Sequence, residues 1–232
     1  MSSGAFPGIM LLMCGRMVAI NLKKLATLEG MGRTVRDLVK TYIDRYNLAP
    51  TQQAVTVHLA DGEWVISERR WGLIPSWAPD ESVGVKLINA RAETVQKLPS
   101  FRSAFKRSRL VIPVSGFYEW AVIAGKKRPY FIHPADGGHW LFAGLGETWK
   151  GSVESFTVIT TEANAALSEL HHRMPVIISP DNLENWMDPS ATPGALQALL
   201  RPCPDGWVEA HEVGAGVGNV KNQGAELIEP VA

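Results

Sequence analysis

The chain has 232 residues, 46% of them hydrophobic and 20% charged, and its 23 basic and 23 acidic side chains cancel to a formal net charge of zero. A chain of this length buries most of its apolar surface without staples. Overall charge excludes a globally basic nucleic-acid-coating protein, so any affinity for a polyanion has to come from a local patch. Two cysteines, Cys14 and Cys203, are too few for a disulfide framework or a structural zinc site. They suit a reducing compartment, and no stretch approaches the roughly 20 apolar residues of a membrane helix.

Residues 1–13 read as a leader that is removed or not translated, with the domain running over 14–232. The leader carries the apolar run Gly8-Ile9-Met10-Leu11-Leu12-Met13 just before Cys14. It lacks an early Lys or Arg, it is short for a signal core, and Met13 is too bulky for the position before a processed cysteine. Cys14 directly follows a methionine, so a start at Met13 followed by methionine removal would expose it as the N-terminal residue. An N-terminal cysteine presents an α-amine and a thiol on adjacent carbons, a pair that suits attack on an aldehyde. On the tetrapeptide alone, a small buried cysteine is the commoner role.

Residues 16–22 suit a buried strand. Residues 34–46 carry Val35, Leu38, Val39, Tyr42 and Ile43 near helical spacing and predict a helix. Residues 54–60 and 63–69 read as strands joined by Asp61-Gly62, a strong hairpin signal. Trp71 to Pro79, with two tryptophans and two prolines, reads as a stiff aromatic loop. Residues 89–94 are expected to turn into a short helix. From Lys97 to Arg109 come Lys97, Arg102, Lys106, Arg107 and Arg109 with no acid, a run that could follow phosphates or form a solvated face. Strands are expected at 110–114, 116–120, 129–133, 139–143, 155–161 and 176–178, and short helices at 164–170, 180–187 and 195–200, before an irregular Gly-rich tail. With no internal repeat or linker, the pattern points to an α+β fold: one domain on a curved, barrel-like antiparallel β-sheet with short peripheral helices.

Glu119 lies between Tyr118 and Trp120 in an otherwise apolar strand, where alternation puts Phe117 and Glu119 on one face. Partial burial would suit it to proton transfer; an outward-facing Glu is the plainer alternative. His171 and His172 could donate protons near neutral pH or be surface histidines, and adjacent positions make a poor metal pair. Trp71 and Trp77 could stack on unstacked bases, although core filling could account for one of them.

Eight motifs in order resemble those of the SRAP (SOS response-associated peptidase) family. They are Met13-Cys14-Gly15-Arg16, W-G-L-I-P-x-W at 71–77, N-A-R-A-E-T at 89–94, G-F-Y-E-W at 116–120, F-A-G-L at 142–145, T-T-E-A-N at 160–164, H-x-R-M-P at 171–175 and E-L-I-E-P at 226–230. The resemblance implies the SRAP fold and a covalent crosslink to abasic sites in single-stranded DNA, formed through Cys14. It also implies roles: Glu119 positions the amine and moves protons, His171 helps open the sugar, and Asn89 holds the cysteine and the sugar. Arg16, Arg91 and Arg173 would contact phosphates, and Trp71 and Trp77 bases. Self-cleavage exposing the cysteine and DNA lyase activity are further implied possibilities. No metal site and no cofactor are expected, nor a membrane partner. A monomer is expected, in the cytoplasm and on the nucleoid when bound to DNA. As written, Cys14 carries an amide nitrogen, so the active form is expected to begin at Cys14. Two other classes compete: a cysteine peptidase acting on other proteins, and a non-covalent single-stranded DNA-binding module.

Overall fold

Turn chemistry and strand alternation account for most of the observed elements. The structure, a computed structural model, describes residues 15–22 and 42–231. Its strands are β1 (Met17–Ala19), β2 (Arg45–Leu48), β3 (Gln53–Ala60), β4 (Glu63–Trp71), β5 (Asn89–Arg91), β6 (Arg109–Val114), β7 (Gly116–Ile123), β8 (Lys126–Pro134), β9 (Trp140–Trp149), β10 (Val153–Glu162), β11 (Arg173–Pro175), β12 (Ile177–Ile178) and β13 (Val208–Glu212). The helices are short: α1 (Arg102–Arg107), α2 (Leu183–Met187) and α3 (Pro193–Leu199).

Asp61 and Gly62, at φ 52° and 81°, close β3 onto β4 with Ala60 opposite Glu63. Two left-handed residues in a two-residue turn match the twist of the flanking strands. Ala124 and Gly125 repeat the device between β7 and β8, at φ 49° and 76°.

Strand β10 pairs with β4 along one edge and with β9 along the other, and β4, β3, β6 and β9 follow one another. Five strands therefore close into a barrel-like ring, and a second sheet is ordered β13-β8-β7-β1-β2. The ladders are mostly antiparallel, as the expected α+β architecture requires; β10 runs parallel to β4 and to β5.

Two large apolar clusters follow from strand alternation. One takes Val57, Val111, Ala143 and Ile159 of the ring and packs them with Phe105 of α1, Trp186 of α2 and Leu196 of α3. The other takes Ile112, Phe142, Phe156 and Val158 from the alternate positions and joins them to Met17, Leu48, Phe117 and Ile132 of the second sheet. A third, with Tyr118, Phe131, Val217 and Leu227, places the C-terminal segment against the far face of that second sheet.

Several local expectations are corrected. The helix expected over 34–46 lies largely outside the described residues, and its last two positions, Arg45 and Tyr46, belong to β2. Pairing of Leu48 with Met17 and of Arg45 with Ala19 decides that backbone over its apolar spacing. Residues 89–91 form a strand in register with Val158, Ile159 and Thr160, not the start of a helix. Residues 164–170 make turns without a helix, and the tail region adds a strand, β13, that pairs with β8. Arg109 is buried at the end of the basic run and donates to the carbonyls of Phe105, Lys106, Trp186 and Asp188. It ties α1 to α2, so it belongs to neither a phosphate track nor a solvated face.

The W-G-L-I-P loop depends on two glycines. A Cβ on Gly72, whose φ is 119°, would lie 2.6 Å from the Gly84 carbonyl oxygen, and one on Gly84 would lie 2.5 Å from that of Gly72. Only bare backbone permits the approach.

Candidate active site between the two sheets

Gly15 places the N-terminal segment. Met17 pairs with Phe117 and Val18 with Gly116, and the Tyr118 amide donates to the Arg16 carbonyl at 3.0 Å. The antiparallel register continues to put Gly15 opposite Glu119. Cys14, peptide-bonded to Gly15, lies outside the described residues.

Glu119 is 3% exposed. It shares a face with Phe117, whose ring lies in the apolar cluster between the sheets. Tyr118 and Trp120 take the other face, against the C-terminal segment. Glu119 is therefore a carboxylate of the interior, and the outward-facing alternative is set aside.

Asn89 enters the same interlayer from the opposite side. It is in register with Val158, a member of that cluster, whereas the next pair, Ala90 and Ile159, belongs to the cluster under the helices. Arg91, two residues on, is on the face of Asn89 and is exposed.

His171 lies just before β11, buried, with its amide donating to the Leu167 carbonyl. The Arg173 amide donates to His171 Nδ1 at 3.0 Å. An acceptor Nδ1 leaves the neutral ring with its proton on Nε2. The Arg173 carbonyl oxygen lies 3.2 Å from the same Nδ1, so the protonated ring also finds a partner without turning. His172 is exposed and stacks on His171, centroids 4.4 Å apart. Desolvation, then the charges of His171, Arg173 and Arg91, push its pKa down. Among the described residues no three His, Cys, Asp or Glu side chains form a group able to hold a metal ion.

Arg91 and Arg173 lie on opposite edges of β10, Arg91 in register with Thr160 and Arg173, two residues further along, with Glu162. Arg173 is buried and forms a fork with Glu93, Nη1 to Oε1 at 2.6 Å and Nη2 to Oε2 at 3.0 Å. Its Nη2 also donates to the Thr160 carbonyl at 2.6 Å, while its Nε–H has no partner among the described residues. Arg16 is equally engaged. Its Nη1 donates to Asn47 Oδ1 and to the Val217 carbonyl, both at 2.7 Å, and its guanidinium lies over the Trp120 ring. Of the three arginines expected at phosphates, Arg91 alone is exposed with no side-chain ion pair or hydrogen bond among the described residues.

The two tryptophans of the aromatic loop divide. Trp71 is fully buried, stacked on Phe156, and its Nε1 donates to the Ile88 carbonyl at 2.9 Å. A ring with no exposed face cannot receive a base, so core filling accounts for Trp71. Trp77 is 58% exposed and keeps an open face. The sequence reading gave no role to Asn47 or Glu93. Glu93 had a signal, its place inside N-A-R-A-E-T; Asn47 had none.

A closed five-strand ring joined to a second sheet, with a buried carboxylate on β7, an amide on β5 and a buried histidine just before β11, defines a single-domain α+β protein. The sequence profile of the SOS response associated peptidase (SRAP) family matches residues 13–220, and the chain belongs to that family. It is 40% identical to the abasic site processing protein YoqW of Bacillus subtilis, over 81% of this chain and 87% of that one. It is 34% identical to the abasic site processing protein YedK of Escherichia coli, over 82% and 86%. Among solved structures, a protein from Bacteroides thetaiotaomicron shares the fold at a TM-score of 0.82 and 24% identity, covering 94% of this chain and 99% of that one. A phage-related protein from Bordetella bronchiseptica follows at 0.69 and 26%, covering 86% and 94%.

Proposed function

We propose that this protein processes abasic sites in DNA by forming a covalent thiazolidine crosslink through an N-terminal Cys14. The observation that carries the reading is the burial of Glu119, which the β1–β7 register, carried two residues past the Met17–Phe117 pair, sets opposite Gly15. The names of the relatives, and a family match that starts at Met13, support it.

A ring-opened abasic sugar exposes an aldehyde. The α-amine, with a reference pKa of about 7.7–8.0, attacks its carbon; loss of water, which takes the carbonyl oxygen, leaves an imine. The Cys14 sulfur then adds to the imine carbon. One C–S bond forms, the thiol proton passes to nitrogen, and the five-membered ring closes with no change of oxidation state. Glu119 takes and returns the amine protons. His171 delivers a proton from Nε2 to the sugar ring oxygen as the C1′–O4′ bond breaks, and the C1′ hydroxyl gives up its proton to water, leaving the aldehyde. Asn89 orients the sugar and the cysteine. Arg91 meets phosphate and Trp77 a base, on single-stranded DNA whose lesion is not stacked in a duplex.

The chemistry requires a free amine at Cys14. Residues 1–13 are therefore absent from the active form, either because translation starts at a Met13 that is then excised or through self-cleavage, which the family's peptidase name suits. Lyase cleavage of the strand from the imine is a branch of the same chemistry. The protein is proposed to act as a monomer in the cytoplasm, on the nucleoid when crosslinked.

The test is a denaturing gel of protein mixed with single-stranded DNA carrying one abasic site. A heat-stable shifted band is expected for protein beginning at Cys14, and none for Cys14→Ala or for the 232-residue chain left unprocessed. A band of equal yield from Cys14→Ala would reject the aminothiol mechanism.

A further inference from the structure

We propose that Glu93 is a positioning residue for the crosslinking reaction: through Arg173 it holds His171 in the orientation that protonates the sugar. The inference rests on the proposed role of His171 and adds a residue to which no part has been assigned.

Three links carry it. Glu93 grips both terminal nitrogens of Arg173 at 2.6 and 3.0 Å, a two-point fork that fixes the guanidinium in direction as well as distance. Arg173 is anchored again by its Nη2 donation to the Thr160 carbonyl at 2.6 Å. Its main-chain amide and carbonyl oxygen then lie 3.0 and 3.2 Å from His171 Nδ1, so the Arg173 backbone holds the ring by that nitrogen whichever way its proton stands. The carboxylate thus reaches His171 through one residue.

An exposed ion pair usually contributes little, and the Glu93 side chain is 51% exposed. This pair differs because its cationic half is only 10% exposed. A buried guanidinium without its counterion has to shift toward another acceptor or toward water, and its own backbone carries the bond to His171. Hydrogen bonding from Arg173 also holds the Glu93 carboxyl below its ordinary pKa, so the fork stays ionised at neutral pH. The pairing spans β10: Glu93 lies two residues after Arg91 and four after Asn89, and Arg173 two after His171. One fork therefore ties the strand carrying Asn89 to the segment carrying His171.

A phosphate-masking latch would use the same pair with the opposite sign. If Glu93 merely occupied Arg173 until DNA displaced it, removing the carboxylate would free a cation and tighten DNA binding without slowing the chemistry.

The experiment measures the crosslinking rate at saturating single-stranded abasic DNA across pH 5–9, using protein that begins at Cys14. Wild type, Glu93→Gln, Glu93→Asp and Arg173→Lys are compared. Affinity is read separately on DNA carrying a tetrahydrofuran residue, which has no aldehyde, and folding by thermal melting. A positioned proton donor contributes about 10²–10⁴ in rate, so its partial misplacement in Glu93→Gln is expected to cost at least about tenfold. The limb of the pH profile that depends on a protonated donor should shift, and affinity for the tetrahydrofuran strand should not weaken. Glu93→Asp should recover part of the rate. Arg173→Lys keeps the amide and the charge but loses the fork, and should reproduce the loss even if Glu93→Gln folds poorly. A wild-type rate in either Glu93→Gln or Arg173→Lys, or a tightened affinity with an unchanged rate, would overturn the proposal. Wild type in the same gel keeps the two readings apart, because its failure to crosslink would reject the aminothiol chemistry itself.

Discussion

Arg16 and Asn47 are bonded to one another and share an acceptor: Arg16 Nη1 donates to Asn47 Oδ1 at 2.7 Å, and both side chains donate to the Val217 carbonyl, at 2.7 and 3.1 Å. Asn47 Nδ2 also reaches the carbonyls of Asn219 and Asn222, and the Gln223 side chain brackets the Asn47 backbone. The C-terminal segment is thereby fastened to β2 and to the residue two places from Cys14.

Asn47→Ala is expected to destabilise the fold by roughly 2–4 kcal/mol, because it removes the buried amide that donates to the Asn219 and Asn222 carbonyls and takes one acceptor from Arg16, which keeps Val217. Urea unfolding reads this directly. A change within about 0.5 kcal/mol, the range of ordinary surface substitutions, would mean that the tail is not held by this amide.

The divided tryptophans give a pair of opposite outcomes. Trp71→Ala empties a fully buried site and should cost about 3–5 kcal/mol of stability. Trp77→Ala should leave stability within about 0.5 kcal/mol and weaken single-stranded DNA binding by about 1–3 kcal/mol. Melting curves and fluorescence-anisotropy titrations separate the two; unchanged DNA binding by Trp77→Ala would remove its proposed stacking role.

Cys203 should be inert. It is 6% exposed, and burial pushes its thiol up to about 11, so little thiolate is present at pH 8. In protein beginning at Cys14, iodoacetamide is expected to label one thiol rapidly when native and two after denaturation, by mass spectrometry. Cys203→Ala should crosslink like wild type. Rapid native labelling at Cys203 would contradict its burial.

Glu93 also makes a pH-dependent contribution to stability. Its carboxyl is held low, chiefly by the hydrogen bond from Arg173. A carboxyl with a folded pKa below its unfolded value of about 4.3 stabilises the fold above that value, and the contribution disappears as pH falls through the folded pKa. The gap in urea midpoint between wild type and Glu93→Gln should therefore be present at pH 7 and closed at pH 2. A gap of equal size at both would show that ionisation of Glu93 is not its source.

Features decided by nearest neighbours along the chain were legible before folding. Asp61-Gly62 specifies a turn whichever strands it joins, so β3 and β4 were legible. Alternation put Phe117 and Glu119 together and Tyr118 with Trp120 on the other face. The spaced motifs declared the family. Tertiary structure decided whatever depends on partners distant in the chain. Arg45 and Tyr46 became strand because β1 offers their backbone a ladder, and residues 89–91 did so because β10 has an edge to fill. Trp71 and Trp77 are equivalent in a sequence, and only the packing of Phe156 against one ring buries it. Arg16 and Arg173 look like free cations until Val217, 201 residues on from Arg16, and Glu93, 80 residues before Arg173, are brought to them. A charged side chain's role is set by whether folding supplies a partner that replaces its water, and that partner is fixed by topology, not by local sequence.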